Sequence, residues 1–362
     1  PARRATAHDV ARRAGTSQSA VSRVFTPGAS VSPALRERVL AAARDLGYRP
    51  NAIARSLITR RSRLVAVAMA RLDNPFYPAM LEALSDRLQR HGYQVLLFTA
   101  DHPPGGEPAI ESSGGEPVIE QVLRYQADAV VLAATSLSSV FARECRRAGV
   151  PAVLFNRVTD EPGLSSVTGD NARGGHAIGA FLAAGGHRRP AFVAGLEASS
   201  TSRDRERGFG AALREAGLGP PLRAVGHYTR EGAAAAIRAL LRRADRPDAV
   251  FCANDHMAIA CIEVARHEFG LRIGGDGADA LSVVGFDDAG PAAWPAYDLT
   301  TFSQPLAPMV DATVRLLLDA LATPSRPARH VVIGGALVVR GSARRPPGRP
   351  DPPPLPLPSG PR

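Results

Sequence analysis

The densest chemistry along this chain is positive charge near its start: residues 1–63 hold 13 arginines against three acids, Asp9, Glu37 and Asp45. That surplus equals the +10 of the whole chain, so the rest is neutral. A basic head on a neutral body is the electrostatic footprint of a segment that meets a polyanion. Elsewhere, reactive groups lack catalytic spacing. Cys145, Cys252 and Cys261 form no CxxC pair and read as buried free thiols in a reducing compartment. Asn254, Asp255 and His256 are neighbours in sequence and cannot converge as a triad. There is no GxxxxGK[ST] loop, HExxH pair or GxSxG elbow, and the GFGAAL string at 208–213 lies inside a helical stretch instead of after a strand. The chain is expected to bind and not to catalyse, with no metal and no cofactor.

A charged head needs helices to aim it. Thr6 can cap a helix carrying Val10, Ala11 and Ala14 that ends at Gly15. After the Gly15-Thr16 turn, Ser17 can cap a second helix to about Phe25, with Val21 and Val24 inward. Pro27-Gly28 breaks the chain. Ser32-Pro33, a cap followed by proline at the first helical position, opens a third helix. Its apolar positions Leu35, Val39, Ala42, Ala43 and Leu46 follow helical spacing, and Gly47 ends it. Two helices joined by a tight turn that begins with glycine make a helix-turn-helix pattern.

From Leu64 the pattern changes. Apolar runs at 64–70, 94–99, 128–133, 151–155, 190–194, 249–253 and 281–286 alternate with amphipathic stretches at 77–91, 173–184, 203–216, 231–243 and 255–269. Such βα alternation predicts parallel sheets covered by helices. Two such sets, parting near residue 170, predict two similar lobes with a cleft between them. The segment 101–117, rich in Pro, Gly and Ser, reads as an exposed insertion, and 343–362 as a disordered Pro-rich tail. No run of about 18 apolar residues is present. Pro1–Val10 is polar and basic, unlike a secretory signal, so the cytoplasm is expected and no membrane partner.

The strings TAHDVARRAGTSQSAVSRVF and VSPALRERVLAAARDLGYRPNAIARSL resemble the head of the lactose-repressor/galactose-repressor (LacI/GalR) family. The resemblance continues in order through NPFYPAMLEAL, VTGDNARGG, GHRRPAFVAG, SRDRERGF, FCANDHMAIA, LSVVGFDDAG and LTTFSQP, over about residues 5–342. It implies an all-α helix-turn-helix domain at 1–49, a hinge helix and linker at 50–61, and an α/β two-lobed, periplasmic-binding-protein-like (type I) sensing domain at 62–342. Lobe 1 is expected at about 62–168 and 304–325, and lobe 2 at about 169–301 and 328–342. The function implied is a sequence-specific transcriptional regulator, a repressor, whose grip on DNA is set by a small-molecule effector. A solute-binding receptor or a sugar-processing enzyme would be the alternatives. The basic head and the missing signal oppose the first, and the missing catalytic motifs oppose the second.

By the same resemblance the second helix lies in the major groove, where Gln18, Ser19 and Arg23 match base-reading positions. Gln suits adenine and Arg suits guanine. Thr6, Ser17, Ser22 and Ser32 match phosphate-contacting positions, which fix register and not sequence. Ser17 and Ser32 also read as simple helix caps, and Arg23 as a solvated surface arginine. Asn51 would cap the hinge helix, which carries Ala54 and Leu57. Paired across a homodimer in the minor groove of a two-fold symmetric operator, Leu57 would wedge a base step, where without the family it reads as a linker leucine. A helix that short is marginal alone.

The positions matching the effector site are Phe76, Tyr77, Asp170, Thr201, Arg205, Tyr228, Asn254, Asp287 and Gln304. Aromatic faces with carboxylate, amide and guanidinium groups suit a polyhydroxylated ligand, a sugar or sugar derivative. Arg205 also reads as a structural ion-pair partner, and Asp287 as a cap on the following helix. Ser199 and Ser200 stand where purine-responsive members carry more discriminating groups. The residues GGDGADA at 274–280 have no family counterpart, and the tail lacks the leucine heptad of tetrameric members.

Overall fold

A computed structural model describes residues 5–26, 28–49, 61–69, 72–99, 118–133, 139–159, 163–323 and 326–348. They divide into two units between Arg63 and Leu64. The hinge residues Asn51, Ala54 and Leu57 and the insertion expected at 101–117 lie outside the described residues.

In the first unit three helices, α1 (Ala7–Arg13), α2 (Gln18–Val24) and α3 (Pro33–Asp45), enclose a core of Val10, Ala11, Ala14, Val21, Val24, Val39, Ala42 and Ala43. Thr6 and Asp9 form a reciprocal capping box on α1, satisfying two amides that the helix itself leaves free. Ser17 and Ser32 cap α2 and α3 through Ala20 N–H and Leu35 N–H. Leu46, expected inward, is 38% exposed: it follows the last turn of α3, where the helical face has run out.

The second unit holds two sheets. The first contains β1 (Leu64–Met69), β2 (Gln94–Thr99), β3 (Ala129–Ala133), β4 (Ala152–Phe155), β5 (Ser165–Gly169) and β12 (His330–Ile333), all parallel, in the order β12-β5-β4-β3-β1-β2. The second runs β13-β11-β10-β8-β6-β7, with β9 (Arg272–Ile273) on β10. Its strands are β6 (Pro190–Ala194), β7 (Leu222–Val225), β8 (Ala249–Cys252), β10 (Ala280–Asp287), β11 (Thr300–Ser303) and β13 (Leu337–Val338), and β13 alone among them is antiparallel. Central strands such as LVAVAM are buried almost end to end, as helices on both faces require.

Around the first sheet lie α4 (Phe76–Arg90), α5 (Val118–Arg124), α6 (Ser139–Arg147) and α11 (Leu306–Ala322). Around the second lie α7 (Asn171–Ala184), α8 (Ser200–Glu215), α9 (Arg230–Leu241) and α10 (Asp255–Phe269). The chain passes between lobes after β5, after β11 and after β12.

Two expected boundaries are corrected. Residues 330–333, expected in lobe 2, form the edge strand of lobe 1, because Val331 and Ile333 pack on its core beside α11. Residues 343–348, expected in the disordered tail, are instead placed against lobe 2, and 349–362 lie outside the described residues. Ala343 is buried on lobe 2, Arg344 N–H donates to Ser282 Oγ at 2.8 Å, and its guanidinium meets Asp276 at 3.3 Å. The 274–280 segment is a surface loop closed by Arg272, which pairs with Asp279 at 2.8 Å and donates to the Asp276 carbonyl.

Candidate functional site

On α2, burial of Val21 and Val24 turns the opposite face outward, so Gln18, Ser19, Ser22 and Arg23 are all exposed and share one side of the helix. Ser17 Oγ accepts from Ala20 N–H at 3.2 Å and lies 2.9 Å from Ser19 Oγ. Thr6 Oγ1 donates to Asp9 Oδ2 at 2.7 Å, and Ser32 Oγ accepts from Leu35 N–H at 3.4 Å. Of the hydroxyls expected at phosphates, those of Thr6, Ser17 and Ser32 are helix caps and that of Ser22 is not, and all four residues are exposed.

The second cluster lies where the two lobes meet. Its centre is Arg205, on α8, 2% exposed. It is placed there by glycine: a Cβ on Gly175 would strike the Arg205 carbonyl, and one on Gly208 the Ala172 carbonyl. Thus α7 and α8 cross backbone to backbone, and Arg205 Nε reaches Asn171 Oδ1 at 2.8 Å. The GFGAAL glycine is a helix-crossing contact. Arg205 Nη1 donates to the Ala253 carbonyl, its guanidinium lies 3.7 Å from the Phe286 ring centroid, and Nη2 stands 3.5 Å from Asp287 Oδ1.

Asp287 ends β10 with φ of 120°, in the left-handed half of backbone space where a side chain is strained. Gln304 Nε2 donates to its Oδ1 at 2.7 Å, and Asn74 of lobe 1 hydrogen-bonds it from across the seam. Its carboxylate thus faces the seam instead of capping the next helix. Burial pushes that carboxyl up to about 6, against the pull of Arg205, Gln304 and Asn74. Behind it, Asp255 accepts from Thr301 Oγ1 at 2.6 Å and Ala289 N–H at 2.8 Å, and burial, with the charge of Asp287 adding, holds its carboxyl well above the ordinary range.

The other expected residues fall as follows. Tyr77 reaches the seam, hydrogen-bonded to Asn156, and burial, then the charges of Asp287 and Tyr228, keep its phenol protonated. Phe76 instead packs in the lobe 1 core, edge-on to Tyr77 and stacked 6.3 Å from Phe155. Thr201 Oγ1 lies 3.1 Å from Tyr228 Oη, and Gly195 leaves room for that ring, which a Cβ there would meet at 2.2 Å. Asn254 is buried and caps α10 through Met257 N–H at 2.9 Å. Asp170 caps α7, accepting from Arg173 N–H at 3.1 Å, and among the described residues its carboxylate accepts no hydrogen bond from the cluster.

Three polar atoms of the cluster are buried with no hydrogen-bond partner among the described residues: Arg205 Nη2, Gln304 Oε1 and Asn156 Oδ1. Buried polar groups are normally satisfied, so such a concentration is what a ligand of hydroxyls and ring oxygens would complete. Asn74, Asn156 and Arg157 were not anticipated. The sequence signal for the last two is faint, a polar pair directly after a four-residue apolar strand. Among the described residues no group of His, Cys, Asp and Glu could hold a metal, and no helix is long and apolar enough to cross a membrane.

Comparison with known proteins matches both parts of the chain. Residues 6–51 match the family described as bacterial regulatory proteins, lacI family, and 180–343 match a periplasmic binding protein-like domain. The HTH-type transcriptional regulator CelR of Thermobifida fusca is 34% identical over 351 residues, 94% of this chain and 98% of that protein. A CelR–cellobiose complex superposes with a TM-score of 0.69 at 31% identity, covering 94% of this chain and 100% of that one. The lac repressor dimer bound to operator and the anti-inducer ONPF does so with a TM-score of 0.81 at 26% identity, covering 94% and 99%. With both matched segments in order and CelR aligned nearly end to end, the chain belongs to the LacI family of bacterial regulatory proteins.

Proposed function

We propose that this protein is a homodimeric, cytoplasmic transcriptional repressor whose affinity for a two-fold symmetric operator is set by a sugar or sugar derivative held between its lobes. The carrying observation is the seam cluster of Arg205, Asp287, Gln304 and Asn156, with three unsatisfied polar atoms, in a chain whose α2 presents Gln18, Ser19 and Arg23 to solvent. In this reading Gln18, Ser19 and Arg23 read base edges, while Thr6, Ser17, Ser22 and Ser32 hold phosphates. Asn51, Ala54 and Leu57 act in a hinge helix that enters the minor groove.

At the seam, Tyr77 and Tyr228 offer ring faces and hydroxyls, and Arg205, Asp287, Asn254, Gln304 and Thr201 offer hydrogen bonds. Phe76 backs Tyr77, and Asp170 sits at the crossing between lobes. The ligand touches both lobes and so can favour one arrangement of them only by its difference in affinity for the two. We assign no catalysis to the site, in keeping with a relative named as a transcriptional regulator.

The relatives support an operator and a sugar as partners: one solved relative is a lac repressor dimer on operator, another a CelR–cellobiose complex. The test is selection of bound duplexes with the full chain, followed by titration of the selected site with salt and with saccharides. A symmetric site, steep loss of affinity with salt, and a saccharide that alters it are expected. No preference for any symmetric site over random duplex sinks the reading.

A further inference from the structure

Arg157 stands out among the charged groups of the seam. It follows Asn156, whose backbone is held in the left-handed region at φ 56° while its N–H donates to the Val167 carbonyl at 2.7 Å. The next residue, Val158, donates its N–H to Ser200 Oγ at 3.2 Å, across to the first turn of α8 in lobe 2. Arg157 is thus held between two backbone anchors, one in each lobe, and its side chain is half-buried.

What surrounds it is one-sided. Arg205 faces Asp287, Arg340 faces Asp288 at 2.7 Å, and Arg223 is clamped by Glu197 and Glu206. Arg157 has no hydrogen bond or carboxylate partner among the described residues. The groups that act on it are the phenols of Tyr77 in lobe 1 and Tyr228 in lobe 2, and a second guanidinium, Arg203. Arg203 donates to the carbonyls of Glu197 and Ala198 at 3.2 and 2.8 Å, so it too is without a carboxylate there. Burial, with repulsion from Arg203 adding, disfavours the charge on Arg157. A guanidinium offers five donors in a planar fork that matches phosphate or carboxylate oxygens. Arg157 is half-buried and none of these donors has a protein partner among the described residues, so the fork is open to an anion.

We propose that the effector carries a negative group on its sugar frame, a phosphate monoester or a carboxylate, and that Arg157 recognises it, with the Tyr77 and Tyr228 hydroxyls as flanking donors. This rests on the seam being the effector site, and it narrows the ligand from sugars in general to anionic ones. It also places ligand charge on a residue whose two neighbours in sequence are fixed to opposite lobes.

The test uses the full-length protein and calorimetric titration with matched sets: glucose, glucose 6-phosphate and glucuronate; ribose and ribose 5-phosphate; cellobiose and cellobionate; and inorganic phosphate alone. In at least one set the anionic member is expected to bind about 10- to 100-fold tighter than its neutral parent, as one or two charge-assisted hydrogen bonds provide. The phosphate and carboxylate arms identify the source of the charge. Arg157→Met should bring the anionic member down to the affinity of the neutral one and leave the neutral one unchanged. Arg157→Lys should recover part of the difference, and it serves in place of Arg157→Met should that variant fail to fold. A neutral parent that binds as tightly as its anionic partner, with Arg157→Met or Arg157→Lys without effect on either, overturns the proposal while leaving the sugar site standing. Inorganic phosphate binding as tightly as the best sugar phosphate overturns it as well. If no saccharide in any set binds, the effector reading itself fails, and this proposal with it.

Discussion

Arg205 Nη2 lies 3.5 Å from Asp287 Oδ1 with both side chains 3% exposed or less, an ion pair taken almost entirely out of water. Such a pair gives little net stability, because desolvation offsets its attraction, yet breaking it from one side is costly. Here the arginine also carries bonds to Asn171 and Ala253 and lies over Phe286. Arg205→Ala should therefore lower unfolding free energy by about 3–5 kcal/mol in urea titrations of the full chain. A loss below about 1 kcal/mol would mean that the pair is not structural.

Asp287 also gives stability a pH dependence. Its carboxyl is raised by burial from 3.8 to about 6, so between those values the folded chain holds a proton that the unfolded chain has released. Stability contributed through this group therefore falls as pH rises across that window and is level above it. Asp255, raised by burial in the same direction, acts with the same sign. Relative to wild type, Asp287→Asn should gain in urea midpoint from pH 4.5 to 6.5. Parallel curves over that range would refute the assignment.

Across the seam, His256 Nε2 stands 3.7 Å from Asp73 Oδ2, with Asp73 42% exposed. A partly solvated pair contributes less than about 1 kcal/mol. Asp73→Asn should leave the urea midpoint nearly unchanged while speeding amide exchange near residues 72–76 and 254–258. An unchanged exchange pattern would show that the pair does not hold the lobes.

In the head, Ser17 is assigned two roles that one substitution separates. Ser17→Asp keeps an acceptor at the N-cap, and carboxylates cap well, but it places negative charge where a phosphate is expected. It should retain the thermal midpoint and lose about tenfold or more in operator affinity. Ser17→Ala should cost about 1 kcal/mol of stability. If Ser17→Asp binds operator like wild type, Ser17 is a cap alone.

Arg23→Ala should weaken binding to the selected operator by about 1–3 kcal/mol and relax preference at one base pair per half-site, leaving affinity for random duplex little changed. An equal loss on both duplexes would mark Arg23 as a backbone contact.

Local chemistry carried the head and the alternation of the lobes into plain view. Serine and threonine caps, a glycine turn and helical apolar spacing are decided within a few residues, so α1, α2 and α3 could be read directly, as could β1, β6 and β8. The side of each expected site residue was less legible. Phe76 and Tyr77 are adjacent aromatics that sequence treats alike, yet helix geometry sends one into a core and the other to the seam. Asp170 and Asp287 both sit where a carboxylate can cap; only packing against Arg205 and Gln304 decides that the first caps and the second faces the seam.

What tertiary structure alone determined is which polar groups lose water together. Asn156 and Arg157 carried only a faint signal and Asn74 none, because their meaning depends on neighbours more than forty residues away: Ser200, Tyr228 and Asp287. Sequence periodicity records which face of an element is apolar, since burial is paid residue by residue. Whether a buried guanidinium finds a carboxylate depends on how two lobes close over it, and that is a property of the folded chain only.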